Sequence, residues 1–232
     1  ERMPPAPDHV HERWNQILAA EGGRMPVFPL PLGDVTRPRT AVVEVGDVLD
    51  TAGLARFDDA ARAAGVRTIS LAISVLTAAT LALADAPLRA VFPVHSRHEA
   101  HWHEAVGWFI TNAVLESADA DPRACAHAVR EAVALGSYPL APLFAPYGGM
   151  PQTPGMFALS WLDGRRLPVP APEGVDLQHV SASIDVDGVM AWFTATDDGL
   201  RLRLRYPDTP EARANVGAWR DAVLAGFERA AS

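Results

Sequence analysis

The run from Thr68 to Ala84 carries no charged residue. It falls slightly short of the roughly 20 apolar residues that a membrane-spanning helix needs. It also contains Thr68, Ser70, Ser74, Thr77 and Thr80. A helix apolar nearly all round is stable only when most of its surface is covered. The stretch therefore reads as a helix buried on most sides in a soluble core, capped by Thr68 and stopped before Pro87.

A second segment is nearly as informative. Leu200, Leu202, Leu204 and Tyr206 alternate with Arg201, Arg203 and Arg205. That period of two marks a strand with one buried and one solvated face. Asp198-Gly199 before it is a hairpin turn signal, so Val189 to Thr196 is expected to pair antiparallel with Leu200 to Tyr206.

The other elements follow from caps and periodicity. His9 to Ala20 reads as a helix with Val10, Trp14, Ile17 and Leu18 on one face, stopped by Gly22-Gly23. The proline-rich residues 24–39 form an extended connector. Ala41 to Val45 is a strand. Asp50 or Thr51 caps a helix ended by Gly65. Leu88 to Val94 and Phe109 to Leu115 are strands around a His-rich loop. Asp121-Pro122 opens a helix that Gly136 stops, and Thr209-Pro210 opens the last one. Tyr138 to Gly155 reads as a long loop, Met156 to Leu162 as a strand, and Val180 to Asp185 as another. The fold class is α/β (α+β) in two layers: a mixed sheet with helices 51–64, 68–85, 121–135 and 209–230 mainly on one face.

Composition narrows the chemistry. The 232 residues have a net charge of −8, which gives no electrostatic reason to bind nucleic acid or an anionic membrane. All 20 basic residues are arginine, so Schiff-base chemistry and a phosphate-loop lysine are excluded within this chain. The single cysteine, Cys125, fits a reducing cytoplasm and reads as a buried small hydrophobe. No Gly-x-Ser-x-Gly elbow is present. The first residue is Glu1, which suggests a processed chain or a piece of a longer one.

Three stretches carry a resemblance. Trp14 is followed by Gly22-Gly23-Arg24-Met25-Pro26-Val27-Phe28-Pro29-Leu30-Pro31-Leu32-Gly33. The apolar helix leads to Phe92-Pro93-Val94-His95-Ser96-Arg97 and then to Val106-Gly107-Trp108-Phe109-Ile110-Thr111-Asn112. Phe157 to Asp163 precedes a hairpin and a Tyr-Pro-Asp segment. In this order the chain resembles the C-terminal half of condensation domains and polyketide-associated-type acyltransferases of the chloramphenicol acetyltransferase-like superfamily. Thr111-Asn112 inverts the usual Asn-Thr. The resemblance implies residues 1–40 as crossover helix and linker, and 41–232 as the C-terminal subdomain.

It also implies a function: joining a thioester-activated acyl group to an amine or alcohol in secondary-metabolite or lipid biosynthesis, in the cytoplasm. The acyl donor would sit on carrier-protein phosphopantetheine or on coenzyme A. The implied partners are the N-terminal half of the same domain and an acyl or peptidyl carrier protein, with no nucleic acid and no membrane span. The family motif His-His-x-x-x-Asp-Gly is absent, since none of the eight histidines has an aspartate four residues on. No catalytic residue is therefore assigned here, and the motif is expected upstream. A non-catalytic condensation-like module that binds partner proteins is the alternative.

Four residues are candidates for a substrate-tunnel wall. Trp108 and Asn112 share one side of a strand with Ile110; core packing is the other, and favoured, reading of Trp108. Ser160 and Trp161 are wall candidates or plain sheet packing. Arg97, at a strand end, reads as a structural anchor through a carboxylate, with substrate contact as the other option. His95, His98, His101 and His103 have metal-like spacing but fall in a loop, and a solvated loop without metal is expected.

Overall fold

A computed structural model describes residues 5–96, 100–102, 105–107, 109–166 and 184–232. Arg97, His98, His103 and Trp108 lie outside the described residues, as do 180–183 of the expected strand at 180–185. Along the chain come α1 (Asp8–Ala20), β1 (Arg39–Asp50), α2 (Thr51–Ala63), α3 (Thr68–Ala84), β2 (Leu88–His95), β3 (Ile110–Ser117), α4 (Pro122–Leu135), α5 (Leu140–Phe144), β4 (Phe157–Asp163), β5 (Asp185–Val186), β6 (Val189–Thr196), β7 (Gly199–Pro207) and α6 (Pro210–Ala230). The strands form one mixed seven-stranded sheet in the order β3-β2-β4-β6-β7-β1-β5.

Local chemistry sets the boundaries. The Asp50 carboxylate accepts from the Gly53 amide, Asp121 from the amides of Arg123 and Ala124, and Thr209 from Ala212. Each satisfies orphan donors at a helix start. Thr68 does not cap α3. The N-cap is Arg67 without a side-chain bond, and the Thr68 hydroxyl instead donates to Asp58 Oδ1 at 2.6 Å. The β6–β7 hairpin forms as the pattern predicts, with Thr196 paired to Gly199. Gly199 has φ +134°, and a Cβ there would meet the Leu49 carbonyl at 2.3 Å, so only glycine fits.

Two elements exceed expectation. β1 runs to Asp50 because it pairs with β7 over nearly its full length, shifting register between Asp47 and Leu49. The proline-rich loop contains α5, whose Leu143 and Phe144 are buried. Burial of that pair outweighs the poor helix propensity of Pro142.

α2, α3, α4 and α6 cover one sheet face. Phe193 of β6 meets Phe227 of α6, and Phe157 of β4 meets Trp219 at 5.7 Å. α3 packs against α2, α4 and α6, and is buried as its lack of charge requires. Three of its hydroxyls meet neighbouring elements. Thr80 accepts from Trp219 Nε1 at 3.1 Å, Thr77 donates to Ser117 at 2.9 Å, and Ser74 donates to the Ala120 carbonyl. No single helix among the described residues is long and apolar enough to cross a membrane.

α1 lies where the β3 edge meets the opposite face. Trp14 packs on Phe144 at 5.1 Å. Arg89 of β2 reaches Glu116 of β3 at 2.8 Å, pairs with Glu21, and donates to the Ile17 carbonyl at the end of α1. Arg13 of α1 pairs with Glu131 of α4 at 2.9 Å.

Candidate functional site

Among the described residues the face opposite the helices is only partly covered, by α1, and on it the strand registers place one transverse row. Asn112 of β3 stands opposite Pro93 of β2. Val91 is level with Ala158, so two residues on Pro93 reaches the level of Ser160. Ser160 is level with Trp192 of β6, Trp192 with Arg203 of β7, and Arg203 with Val45 of β1. With strands about 4.8 Å apart, Asn112 and Ser160 sit roughly 10 Å from each other. Asn112 is half-buried, as is Ser160, and Val45 is 65% exposed.

The sequence-derived candidates separate on this framework. Asn112 and Ser160 share the open face. Trp161 points the other way, because adjacent strand residues alternate; its ring stacks on Phe193 at 6.0 Å within the helix-covered layer. Ile110, the other member of the Asn112 side, is 40% exposed. Among the described residues no group of three or more His, Cys, Asp or Glu is placed to hold a metal.

Trp192 is the residue that sequence reasoning missed. Arg203 and Arg205 lie over its ring at 5.6 and 5.5 Å. The β7 arginines are therefore not a simple solvated face: Arg205 is only 6% exposed. Burial, and then the charge of Arg203, push its guanidinium below the ordinary value. The signal was an aromatic residue at the polar phase of β6 opposite alternating arginines, a pairing that favours cation–π stacking.

The far end of β4 carries a second charged cluster. Arg165 bonds Asp163 at 2.9 Å and Asp58 at 2.8 Å, and Arg166 approaches Asp163 at 3.4 Å. Burial works to raise the Asp163 carboxyl, but bonding to Arg165 and the charge of both arginines outweigh it, so Asp163 titrates below its ordinary 3.8. A depressed carboxylate stabilises the fold above its unfolded pKa, and this contribution is lost as pH falls through the folded value. Stability should thus drop on acidification below about pH 4. Asp163→Asn should be less stable than the parent at neutral pH and show a shallower acid loss, measured by urea unfolding at stepped pH. An unchanged acid limb would show that Asp163 is not part of it.

With this geometry in place, the likeness to solved structures is direct. The structure of "PapA2 acyl transferase" superposes with a TM-score of 0.86 at 22% identity, over 100% of this chain and 53% of that one. The first condensation domain of the CDA synthetase superposes with a TM-score of 0.73 at 16% identity, over 97% of this chain and 51% of that one. The fold is that of half a condensation domain. Sequence relatives agree with it. Acyltransferase PapA3 of Mycobacterium tuberculosis (strain ATCC 25618 / H37Rv) is 25% identical over 235 residues, 94% of this chain and 49% of its own length. Trehalose-2-sulfate acyltransferase PapA2 of Mycobacterium bovis (strain BCG / Pasteur 1173P2) is 24% identical over 240 residues, 94% of this chain and 50% of its own. The chain thus spans about half the length of the curated relatives it matches. No protein-family model matches it.

Proposed function

We propose that the chain is the C-terminal half of a condensation-type acyltransferase whose catalytic histidine motif lies in an upstream half. One observation carries this reading: the chain matches half of its acyltransferase relatives almost from end to end, while one face of its sheet is left partly open among the described residues. Residues 1–40 would be the crossover segment and 41–232 the subdomain. Asn112 and Ser160 would line the substrate wall, and Trp108 would join them. Arg97 would anchor the fold.

The chemistry is acyl transfer from a thioester on a carrier-protein phosphopantetheine or coenzyme A. The acceptor oxygen or nitrogen attacks the carbonyl, the new C–O or C–N bond forms, the C–S bond breaks, and the proton passes by way of the upstream base to the leaving thiolate. The substrate named for one relative, a trehalose-2-sulfate acyltransferase, favours a hydroxyl acceptor. A carrier protein is the partner for a phosphopantetheine-bound donor. The chain alone offers an open wall with no assigned base, and should be silent.

The test is to assay the chain with acyl thioesters and alcohol or amine acceptors, alone and with the separately produced upstream half. The chain alone should show no transfer. Adding the other half should restore it, and general acid–base assistance accounts for roughly 10²–10⁴ of the gain. Asn112→Ala in the reconstituted pair should lower turnover more than melting temperature. Turnover by the isolated chain, or a pair that binds but never transfers, would defeat the proposal; the second result would favour a partner-binding module.

A further inference from the structure

One concave site lies away from the transverse row, at the end of β4 between the close of α2 and the start of α3. It has a volume of about 370 Å³ and is lined by Asp58, Arg62, Val66, Arg67, Thr68, Asp163, Arg165 and Arg166. Four guanidinium groups thus face two carboxylates, on a chain whose net charge is −8. Both carboxylates are already engaged by Arg165, and Arg166 shares Asp163. Arg62 pairs with Asp59, which does not line the cleft. Counting Asp59 too still leaves an excess of positive charge among the described residues.

Arg67 is exposed and stands at the N-cap of α3, whose start no side chain caps. The uncapped end of this 17-residue helix adds the positive end of a macrodipole. Val66 is the one apolar residue of the lining among the described residues, so an acyl chain would find little to bury against there. A metal cation would be repelled. Guanidinium forks match tetrahedral oxyanions through paired N–H bonds. The Arg165 fork is fixed by Asp58 and Asp163, while exposed Arg67, and Arg166 at the longer 3.4 Å from Asp163, are the groups that would close on a ligand.

We propose that this cleft is a binding site for a tetrahedral oxyanion, the phosphate or sulfate group of an ester. The inference rests on charge and shape alone and stands whether or not the chain belongs to an acyltransferase.

Isothermal titration of the purified chain with inorganic phosphate and with inorganic sulfate, against sodium chloride of equal ionic strength, tests it. Saturable one-to-one binding of at least one oxyanion is expected, with chloride giving none. The pair of affinities identifies which ester group the cleft prefers. Arg67→Ala combined with Arg166→Ala should weaken binding roughly tenfold. Both side chains are largely solvent-exposed, so the melting temperature should stay within about 2 °C. Titration indistinguishable from chloride overturns the proposal. So does a folded double variant that binds as tightly as the parent. Should the double variant unfold, charge-only replacement by Arg67→Gln is the control, and full retention of binding there is equally fatal.

Discussion

Trp219→Ala is expected to cost the fold roughly 3–5 kcal/mol. Trp219 is fully buried. Its ring meets Phe157 at 5.7 Å and Phe28 at 6.0 Å, so it ties α6 to the sheet and to the proline-rich connector together. Its indole N–H also satisfies the buried Thr80 hydroxyl in the second half of α3. Truncation removes apolar burial, leaves a cavity three elements wide, and strands a polar group among apolar neighbours. Against a typical total of about 5–15 kcal/mol, the loss is a large share of stability. Urea unfolding should show a lowered midpoint with an unchanged slope. Trp219→Phe keeps most of the ring and loses the hydrogen bond, so it should cost less. A loss under about 1 kcal/mol for the alanine variant would mean that this contact is not central to the core.

Arg89→Ala should cost about 2 kcal/mol, and its effect should be local as well as global. The Arg89 side chain is 11% exposed and holds Glu21, Glu116 and the Ile17 carbonyl. Removing one partner of a buried ion pair typically costs about 3–5 kcal/mol, because the remaining charge is left uncompensated. Glu21 and Glu116 keep 20% and 30% exposure, so water recovers part of that penalty. Arg13 remains near Glu116 at 3.5 Å and softens it further. The local effect is on α1, whose last turn is tied to the sheet through this guanidinium. Limited proteolysis should cut residues 21–38 faster in the variant than in the parent. Equal cleavage rates would show that Trp14, Ile17 and Leu18 hold α1 in place without the ion pairs.

The fold was legible where one interaction dominates locally. Asp50, Asp121 and Thr209 announce helix starts through their own side-chain bonds, and the structure contains each of them. The Leu200–Tyr206 alternation predicts its own hairpin because register and burial both have period two. Reading failed where distant residues decide. Thr68 looks like a cap until Asp58, ten residues earlier, takes its hydroxyl. Arg205 looks solvated until Trp192 lies beneath it. β1 looks short because Gly46, Asp47 and Asp50 are poor strand formers, and only the β7 ladder extends it. For the candidate site, sequence alone names Trp108, Asn112, Ser160 and Trp161; that Asn112 and Ser160 share a row while Trp161 turns to Phe193 is a property of sheet register, which no local pattern encodes.

The β1–β7 ladder has a consequence for how the chain is made. Asp47 and its partner Arg201 are 154 residues apart. At a translation rate of about 5–20 residues per second, β1 leaves the ribosome roughly 8–30 s before its pairing strand exists. Loop closure over such a span is slow to reward, so the central α2–α3 pair can form early while β1 waits. Val43 and Val45, already exposed in the finished fold, are then displayed on an unpaired strand. This interval is when the nascent chain is most open to chaperones and to pairing with the wrong neighbour.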